Sequence, residues 1–342
     1  MKTRMKKLLA LICVTFCMFA YAETKGSKTF RSLMSEADTV VVSANSVTFT
    51  DDSGRKEPLK IGKRPKKVAV LYSSYAALWM ECGGTVSVGV GGKTTVEFYN
   101  EQVGRDITLD EGFIKVADSG SGSTWNVEAI LATAPDVIIC ATAMKGYSTI
   151  SGPAAQVGIP VIAISYNGVK DYLKWSKVFS ALNEREDLFE SVAVHVAKNI
   201  AEIIDKIPDD RKVKVLSLVP TKALSAATPH SNIGDMLTDL KAVNVVGTID
   251  PHLKNAIIEI NIEQIYKLNP ELIFFEVLRN EKYVKKYLED GLDTNPVWNE
   301  VQAVKDNKIY LLPKYLFSYR PNRKYLDAYK MMAEWLYPDI KF

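Results

Sequence analysis

The residues in this sequence best suited to chemistry stand in loops that follow apolar runs. They are cations, aromatics and histidines: Tyr75, Trp125, Lys145 and Tyr147 in the first half, and His230, His252, Arg279, Tyr315, Tyr319 and Arg320 in the second. Lys145, Arg279 and Arg320 can offset the charge of an anion. Tyr75, Trp125 and Tyr147 offer ring faces to a flat or aromatic ligand. His230, His252 and the late tyrosines carry nitrogen and oxygen donors that suit a transition-metal complex. Taken singly, a loop Lys, Arg or Tyr is more often a solvated or packing group; the shared placement after strands singles these out. Three histidines give no defensible Ser-His-Asp order. Two of them, His230 and His252, are too few for a dedicated zinc or manganese receptor. Ser87 to Thr94 looks like a phosphate loop, but Ser87 stands where the motif needs Gly, and its glycines suit a chain turn after a buried strand.

An internal repeat shows which elements position these loops. Asn126, Glu128, Ile130, Pro135, Asp136, Val137 and Ile138 recur as Asn261, Glu263, Ile265, Pro270, Glu271, Leu272 and Ile273, an offset of 135 residues. Each copy reads as a helix followed by a buried strand. Between the copies, 183–207 reads as one long helix. Asn183 and Glu186 suggest a capping box, Leu188, Val192, Val196, Ile200, Ile203 and Ile207 a buried face, and Pro208 a stop. Strands alternate with helices on both sides of it. The expected fold is α/β: two Rossmann-like lobes with mainly parallel sheets, joined by one long interlobe helix. The divisions are a signal peptide (1–22), a leader and β-hairpin (23–63), an N-terminal lobe (64–182), the helix (183–207) and a C-terminal lobe (208–342). Within them, 23–40 reads as a loose leader and 104–122 as a polar excursion, and Asp52-Ser53-Gly54 turns the hairpin. Ligands of such sheets bind beyond the strand carboxyl ends, here in the cleft between lobes.

Composition narrows the class. Lys2, Arg4, Lys6 and Lys7, an apolar run to Phe19 and Ala20-Tyr21-Ala22 make an export signal with a cleavage site. The run is too short for a membrane span. Without these four cations, 39 basic residues face 40 acidic ones, so charge gives no reason to expect a nucleic-acid partner. Cys13 and Cys17 lie in the signal and follow the large residues Ile12 and Phe16, which disfavours a lipid anchor. Cys82 and Cys140 sit in apolar contexts that suit buried free thiols better than a disulfide.

Several further pieces occur in order: Asp52-Ser53-Gly54 with Pro65-Lys66-Lys67-Val68; Val116-Ala117-Asp118-Ser119-Gly120; Gly158-Ile159-Pro160-Val161; Ser231 to Asp235; Ala303 to Tyr310; and Trp335 to Pro338. With the repeat motifs, they resemble the substrate-binding proteins of bacterial ABC importers for iron complexes and vitamin B12, over nearly the whole mature chain. That family holds its two lobes on a single rigid helix, which implies small lobe movement on binding. The resemblance implies that Glu128 and Glu263 dock onto arginines of an inner-membrane permease. As residues they equally suit the first turns of their helices. It places His252, Arg279 and Tyr315 or Tyr319 near positions that contact an iron complex, and Lys145 and His230 near positions where such binders use arginines. His252 or Tyr315 would then reach iron only through a bound complex. The expected function is a non-enzymatic, monomeric periplasmic or exported receptor without cofactor, capturing a ferric siderophore. Heme or cobalamin is the alternative within the family, and an exported two-lobed α/β enzyme the alternative outside it.

Overall fold

The computed structural model describes residues 27–342 apart from 121–124, 221–222, 251 and 279–280. The expected signal and the side chain of Arg279 therefore lie outside the described residues.

The described chain opens with α1 (Lys28–Asp38), capped by the Ser27 hydroxyl, which accepts from the Phe30 N–H. Leu33, Met34 and Ala37 share its buried face, so the leader is an amphipathic helix rather than a loose segment. β1 (Val41–Val42), β2 (Ser46–Phe49) and β3 (Leu59–Gly62) form an antiparallel sheet. The hairpin connecting β2 to β3 is longer than a tight turn because its side chains serve the neighbouring lobe. Asp51 accepts from the Ala163 N–H at 3.0 Å and from Arg55 Nε at 2.8 Å, and Asp52 accepts from the Ser165 N–H at 2.6 Å.

The first lobe contains β4 (Val68–Val70), α2 (Ser73–Glu81), β5 (Val88–Val90), α3 (Lys93–Gln102), β6 (Ile114–Ala117), α4 (Val127–Ala132), β7 (Val137–Ala141), α5 (Lys145–Gln156) and β8 (Val161–Ile164). Its strands are all parallel, in the order β6-β5-β4-β7-β8. The polar excursion after α3 conceals β6, an edge strand with no fully buried residue. Asp51 and Asp52 of the hairpin bond to β8 and the residue after it, so the opposite edge is covered.

α6 (Val169–Leu182) then leads to the rod between the lobes. Asn183 is not the rod's N-cap. It ends α6, with its side-chain amide donating to Phe179 O at 2.9 Å. Glu184 follows with φ of 53°. The rod, α7, runs through Glu186–Leu188, a π-helical turn at Phe189–Ala193, and Val194–Asp205. It is roughly 30 Å long at ~1.5 Å per residue. In the π turn Phe189 and Ala193 are buried, whereas Leu188 and Val192 are half-buried. Beyond it Val196, Ile200, Ile203 and Ile207 are buried.

The second lobe contains β9 (Lys214–Pro220), β10 (Leu224–Ala227), α8 (Asn232–Asp239), β11 (Val243–Asn244), β12 (Ile257–Glu259), α9 (Ile262–Leu268), β13 (Leu272–Glu276), α10 (Glu281–Tyr287), α11 (Gln302–Lys305), β14 (Ile309–Leu312), α12 (Lys314–Phe317) and α13 (Tyr325–Leu336). The sheet order is β12-β10-β9-β13-β14, with β11 beside the start of β9. β10 runs against both its neighbours and the other pairings are parallel.

One apolar core joins the two sheets. It takes Val68, Val70, Ile139 and Ile164 from the first sheet and Val215, Leu272, Phe274 and Leu312 from the second, linked by side chains of α6, α7 and α13. The outer faces have separate cores. Cys82 and Cys140 are buried free thiols. Among the described residues, no helix is long and apolar enough to cross a membrane.

The hairpin contact is testable. Asp51 is 4 % exposed, and Asp51→Ala strips the Ala163 N–H of its acceptor and leaves Arg55 only Ser53 Oγ and Val161 O. Urea unfolding should show a loss of about 2–3 kcal/mol. A loss under about 0.5 kcal/mol, the range of an ordinary surface substitution, would show that hairpin packing alone holds this edge.

Candidate functional site

The carboxyl ends of both sheets meet along a polar seam built by residues 313–325. This segment follows the last strand of the second lobe but bonds to the first. Arg320 Nε donates to Tyr166 O at 2.6 Å, and its Nη2 to Asn167 Oδ1 at 3.3 Å. Asn322 donates to Ser74 O at 3.1 Å and accepts from the Tyr166 hydroxyl at 3.1 Å. Glu81, at the end of α2, accepts from the Tyr172 hydroxyl at 2.7 Å and from the Arg323 N–H at 3.3 Å. Gln102 Nε2 donates to Tyr315 O, and Lys324 Nζ to Glu101 O, both at 3.1 Å. The seam and the rod therefore fasten the lobes independently.

An aromatic wall lines this junction. Tyr315 and Tyr319 lie four residues apart, with ring centroids 5.7 Å apart and nearly parallel planes. Phe98 of α3 meets Tyr319 at 4.8 Å across the lobes. Lys314 Nζ lies 5.5 Å and 5.6 Å from the two tyrosine ring centroids, a cation over π faces. Burial pushes both phenols above their usual range. Glu97 and Glu101 add to this at Tyr315, and Tyr315 itself is the next contributor at Tyr319. Both are therefore protonated at neutral pH, and would act as hydrogen-bond donors unless a bound metal displaced the proton.

Glu276 ends the central strand β13. Leu272 and Phe274 point into the shared core and Ile273 and Phe275 into the outer one. Alternation therefore turns Glu276 toward the junction. It is 8 % exposed. Burial pushes its carboxyl up to about 8, against the pull of Arg320.

The expected ligand residues do not all converge. Tyr315, Tyr319 and Arg320 come together at the seam. Tyr75 is close by but turned into the core. It is 2 % exposed, its hydroxyl donates to Ile164 O at 3.3 Å, and its ring stacks on Tyr166 at 6.1 Å. The apolar character of α2, buried from Ser73 to Trp79, explains this. Trp125 is half-buried. Its indole N–H donates to Ser119 O at 3.1 Å, and its ring sits so close to Gly146 that a Cβ there would lie 2.2 Å away. Lys145 is exposed at the start of α5. Tyr147 is half-buried, its phenol pushed up by burial and then by the hairpin's Asp51. These three belong to the first lobe's outer side, where Trp125 and Tyr147 pack on one core. His230 and His252 are exposed in second-lobe turns, their N–H groups donating to Thr228 Oγ1 and Asp250 Oδ1. His195 is exposed on α7 beside Asn199. Among the described residues no group of three His, Cys, Asp or Glu side chains is arranged to hold a metal ion.

Glu128 and Glu263 occupy the first turns of α4 and α9, but the caps there are Asn126 and Asn261. Among the described residues neither carboxylate has a hydrogen-bond or ion-pair partner. Both helices start at the carboxyl-end side of their parallel strands, the side of the seam. A cavity of about 680 Å³ beside Glu263 is lined by Leu224, Ile260, Ile262, Tyr283 and Tyr287. All its lining comes from the second lobe, so it is separate from the interlobe junction.

Phe98 and Lys314 are the participants that sequence reasoning did not pick out, while Glu276 and Tyr166 stand where strands run into loops but were given no role of their own. Glu276 had a visible signal: it is a charged residue closing an otherwise apolar strand. The others depend on contacts between distant segments.

A profile of the periplasmic binding protein family matches residues 68–316. The chain belongs to this family. The family consists of binding proteins, not enzymes. This binding protein is 25% identical over 315 residues to an Fe(3+)-citrate-binding protein of Bacillus subtilis, covering 91% of the chain and 90% of that relative. Over 123 residues it is 31% identical to a high-affinity heme uptake system protein of Staphylococcus aureus, covering 36% of the chain and 39% of the relative. A catecholate-siderophore binding protein of Vibrio cholerae shares the fold, with a TM-score of 0.65 at 14% identity, covering 86% of this chain and 99% of that one. The α/β architecture of two lobes with mainly parallel sheets is thus the family's own.

Glu81 sets a pH test of the seam. Burial raises its carboxyl from 4.5 to about 7. The native state therefore holds a proton that the unfolded state releases across that window, and stability falls as pH rises through it. Glu81→Gln should flatten the decline of melting temperature between these values, by about 2 °C or more. Parallel curves would show that Glu81 is ionised throughout.

Proposed function

We propose that this protein is the substrate-binding component of an ABC importer, capturing an iron chelate between its lobes and delivering it to a membrane permease. The observation that carries the reading is the interlobe wall of Phe98, Tyr315 and Tyr319 beside Lys314 and Arg320, set where strand ends of two sheets converge. Aromatic faces take the organic shell of a chelate, and the cations take its negative charge. The ferric-citrate, siderophore and heme relatives support an iron complex, with a ferric siderophore as the first choice. Heme is the second reading, favoured by the 31% identical segment; Tyr315 or Tyr319 would then be the candidate axial ligand. Glu128 and Glu263, one exposed carboxylate per lobe, are proposed to meet basic residues of the permease. Residues 1–22 are proposed to direct export.

Titration with ferric citrate, ferric siderophores and hemin should quench tryptophan fluorescence and raise the melting temperature for at least one ligand. Saturation at a hundred times Kd stabilises by about 2.7 kcal/mol. No response to any of them would sink the proposal. Tyr319→Ala should weaken binding about tenfold, near 1.4 kcal/mol; an unchanged Kd would remove the wall from the site. The double variant Glu128→Ala, Glu263→Ala should bind normally yet fail in uptake by cells. Normal uptake would refute docking through these carboxylates.

A further inference from the structure

The end of β13 carries an unfinished polar arrangement. Among the described residues Glu276 has no hydrogen-bond or ion-pair partner, although it lies 8 % exposed on an apolar face with Leu272 and Phe274. A protonated carboxyl there has a donor with no acceptor. An ionised one is a charge without a direct partner. Either state is costly to bury. Arg320 does not complete it: its Nε and Nη2 donate to Tyr166 O and Asn167 Oδ1, and among the described residues no ion pair joins it to Glu276. The neighbouring β14 contributes Leu312 opposite Glu276, and β9 contributes Leu218 opposite Phe275. Neither supplies a polar side chain. The segment after β14 supplies Arg320, the charge that acts on Glu276, and carries Lys314, Tyr315 and Tyr319 as well. Tyr72, Tyr75 and Tyr166 come from the first lobe and Tyr325 from α13, around the Arg320 guanidinium. Other carboxylates act on these neighbours: Glu97 and Glu101 of α3 on Tyr315, Asp52 of the hairpin on Tyr75, and Asp171 and Asp235 on Tyr325.

We infer that Glu276 is a ligand-contacting residue of the interlobe cleft, which in its protonated form donates a hydrogen bond to an oxygen of an anionic, oxygen-rich chelate held beside Arg320. The inference rests on the cleft being the ligand site, as proposed above, and adds a specific contact to it. The ligand oxygen supplies the acceptor that the protein withholds. Burial, which holds this carboxyl protonated to about pH 8, keeps the donor available at neutral pH. Ionisation replaces the donor by a negative charge facing an anion, so binding weakens as pH rises. The proton stays on Glu276 and no bond is made or broken.

The test uses the full mature chain and a trianionic ferric tris-catecholate, with a neutral ferric trihydroxamate as the charge control. Kd is read by fluorescence quenching from pH 6.5 to 9.5. The wild type should weaken toward the trianion by about tenfold or more across this range, and less toward the neutral chelate. Glu276→Gln keeps a donor of the same shape at every pH. It should match the wild type at pH 6.5 within about twofold and stay level to pH 9.5. Its melting temperature serves as the control for folding. The same pH slope in both proteins would overturn the inference. So would a variant that already loses tenfold at pH 6.5, because the ionised form would then be the one required. Failure of both chelates to bind either protein at any pH would instead refute the iron-chelate reading, and the inference with it.

Discussion

The apolar core shared by the two sheets is the constraint on which everything else depends. Each sheet has an inner face that cannot be covered within its own lobe. The inner faces of β4, β7 and β8 and of β9, β13 and β14 are buried together, by α6, α7 and α13. At about 25 cal/mol per Å² of apolar surface, separating the lobes would expose a large part of that core. Lobe movement is therefore limited to what the core tolerates, and a close-packed core tolerates little. A ligand site between such lobes must be largely formed before the ligand arrives.

The seam shows how the junction remains polar above an apolar base. Its hydrogen bonds run from residues 315–324 to three different elements of the first lobe. Arg320 and Asn322 reach first-lobe carbonyls, while the Gln102, Tyr166 and Glu81 side chains of the first lobe hold the seam in return. The site's chemistry is thereby divided. The first lobe supplies carbonyls and an aromatic edge, while the second supplies the phenols, both cations and the buried carboxyl. The polar and aromatic groups of the junction thus come mainly from the segment after the last strand and the end of β13.

The fold was largely legible because the repeat and the strand-helix alternation are properties of short windows. Its failures have physical causes. The bulky apolar residues Val196, Val192 and Leu188 stand at strict four-residue steps back from Ile200, and this spacing draws the buried face past its true members in the π-helical turn, Phe189 and the small Ala193. Asn183 has the chemistry of an N-cap and of a helix end alike, and the left-handed Glu184 decides between them. Of the candidate site, Tyr315, Tyr319 and Arg320 could be found because they are neighbours in sequence. Trp125, Lys145 and Tyr147 share the same residue types, but a loop side chain's type does not say which side of its lobe it occupies. Tyr75 was obscured for the opposite reason: a polar-tipped ring in a fully buried helix is a core residue.

The two ends of the described chain, α1 and α13, both come to rest on the carboxyl-terminal segment of the rod, Val194–Asp205. The hairpin likewise waits for β8. A chain that emerges from its amino terminus must therefore deliver the whole first lobe before α1 has anything to pack against. Such distant pairing slows folding and leaves the first-made segment the last to be sheltered. During that interval the face of α1 that carries Leu33, Met34 and Ala37 stays open to solvent. The order in which contacts become possible thus decides which apolar face waits longest for its partner, a delay written into the topology rather than into any one residue.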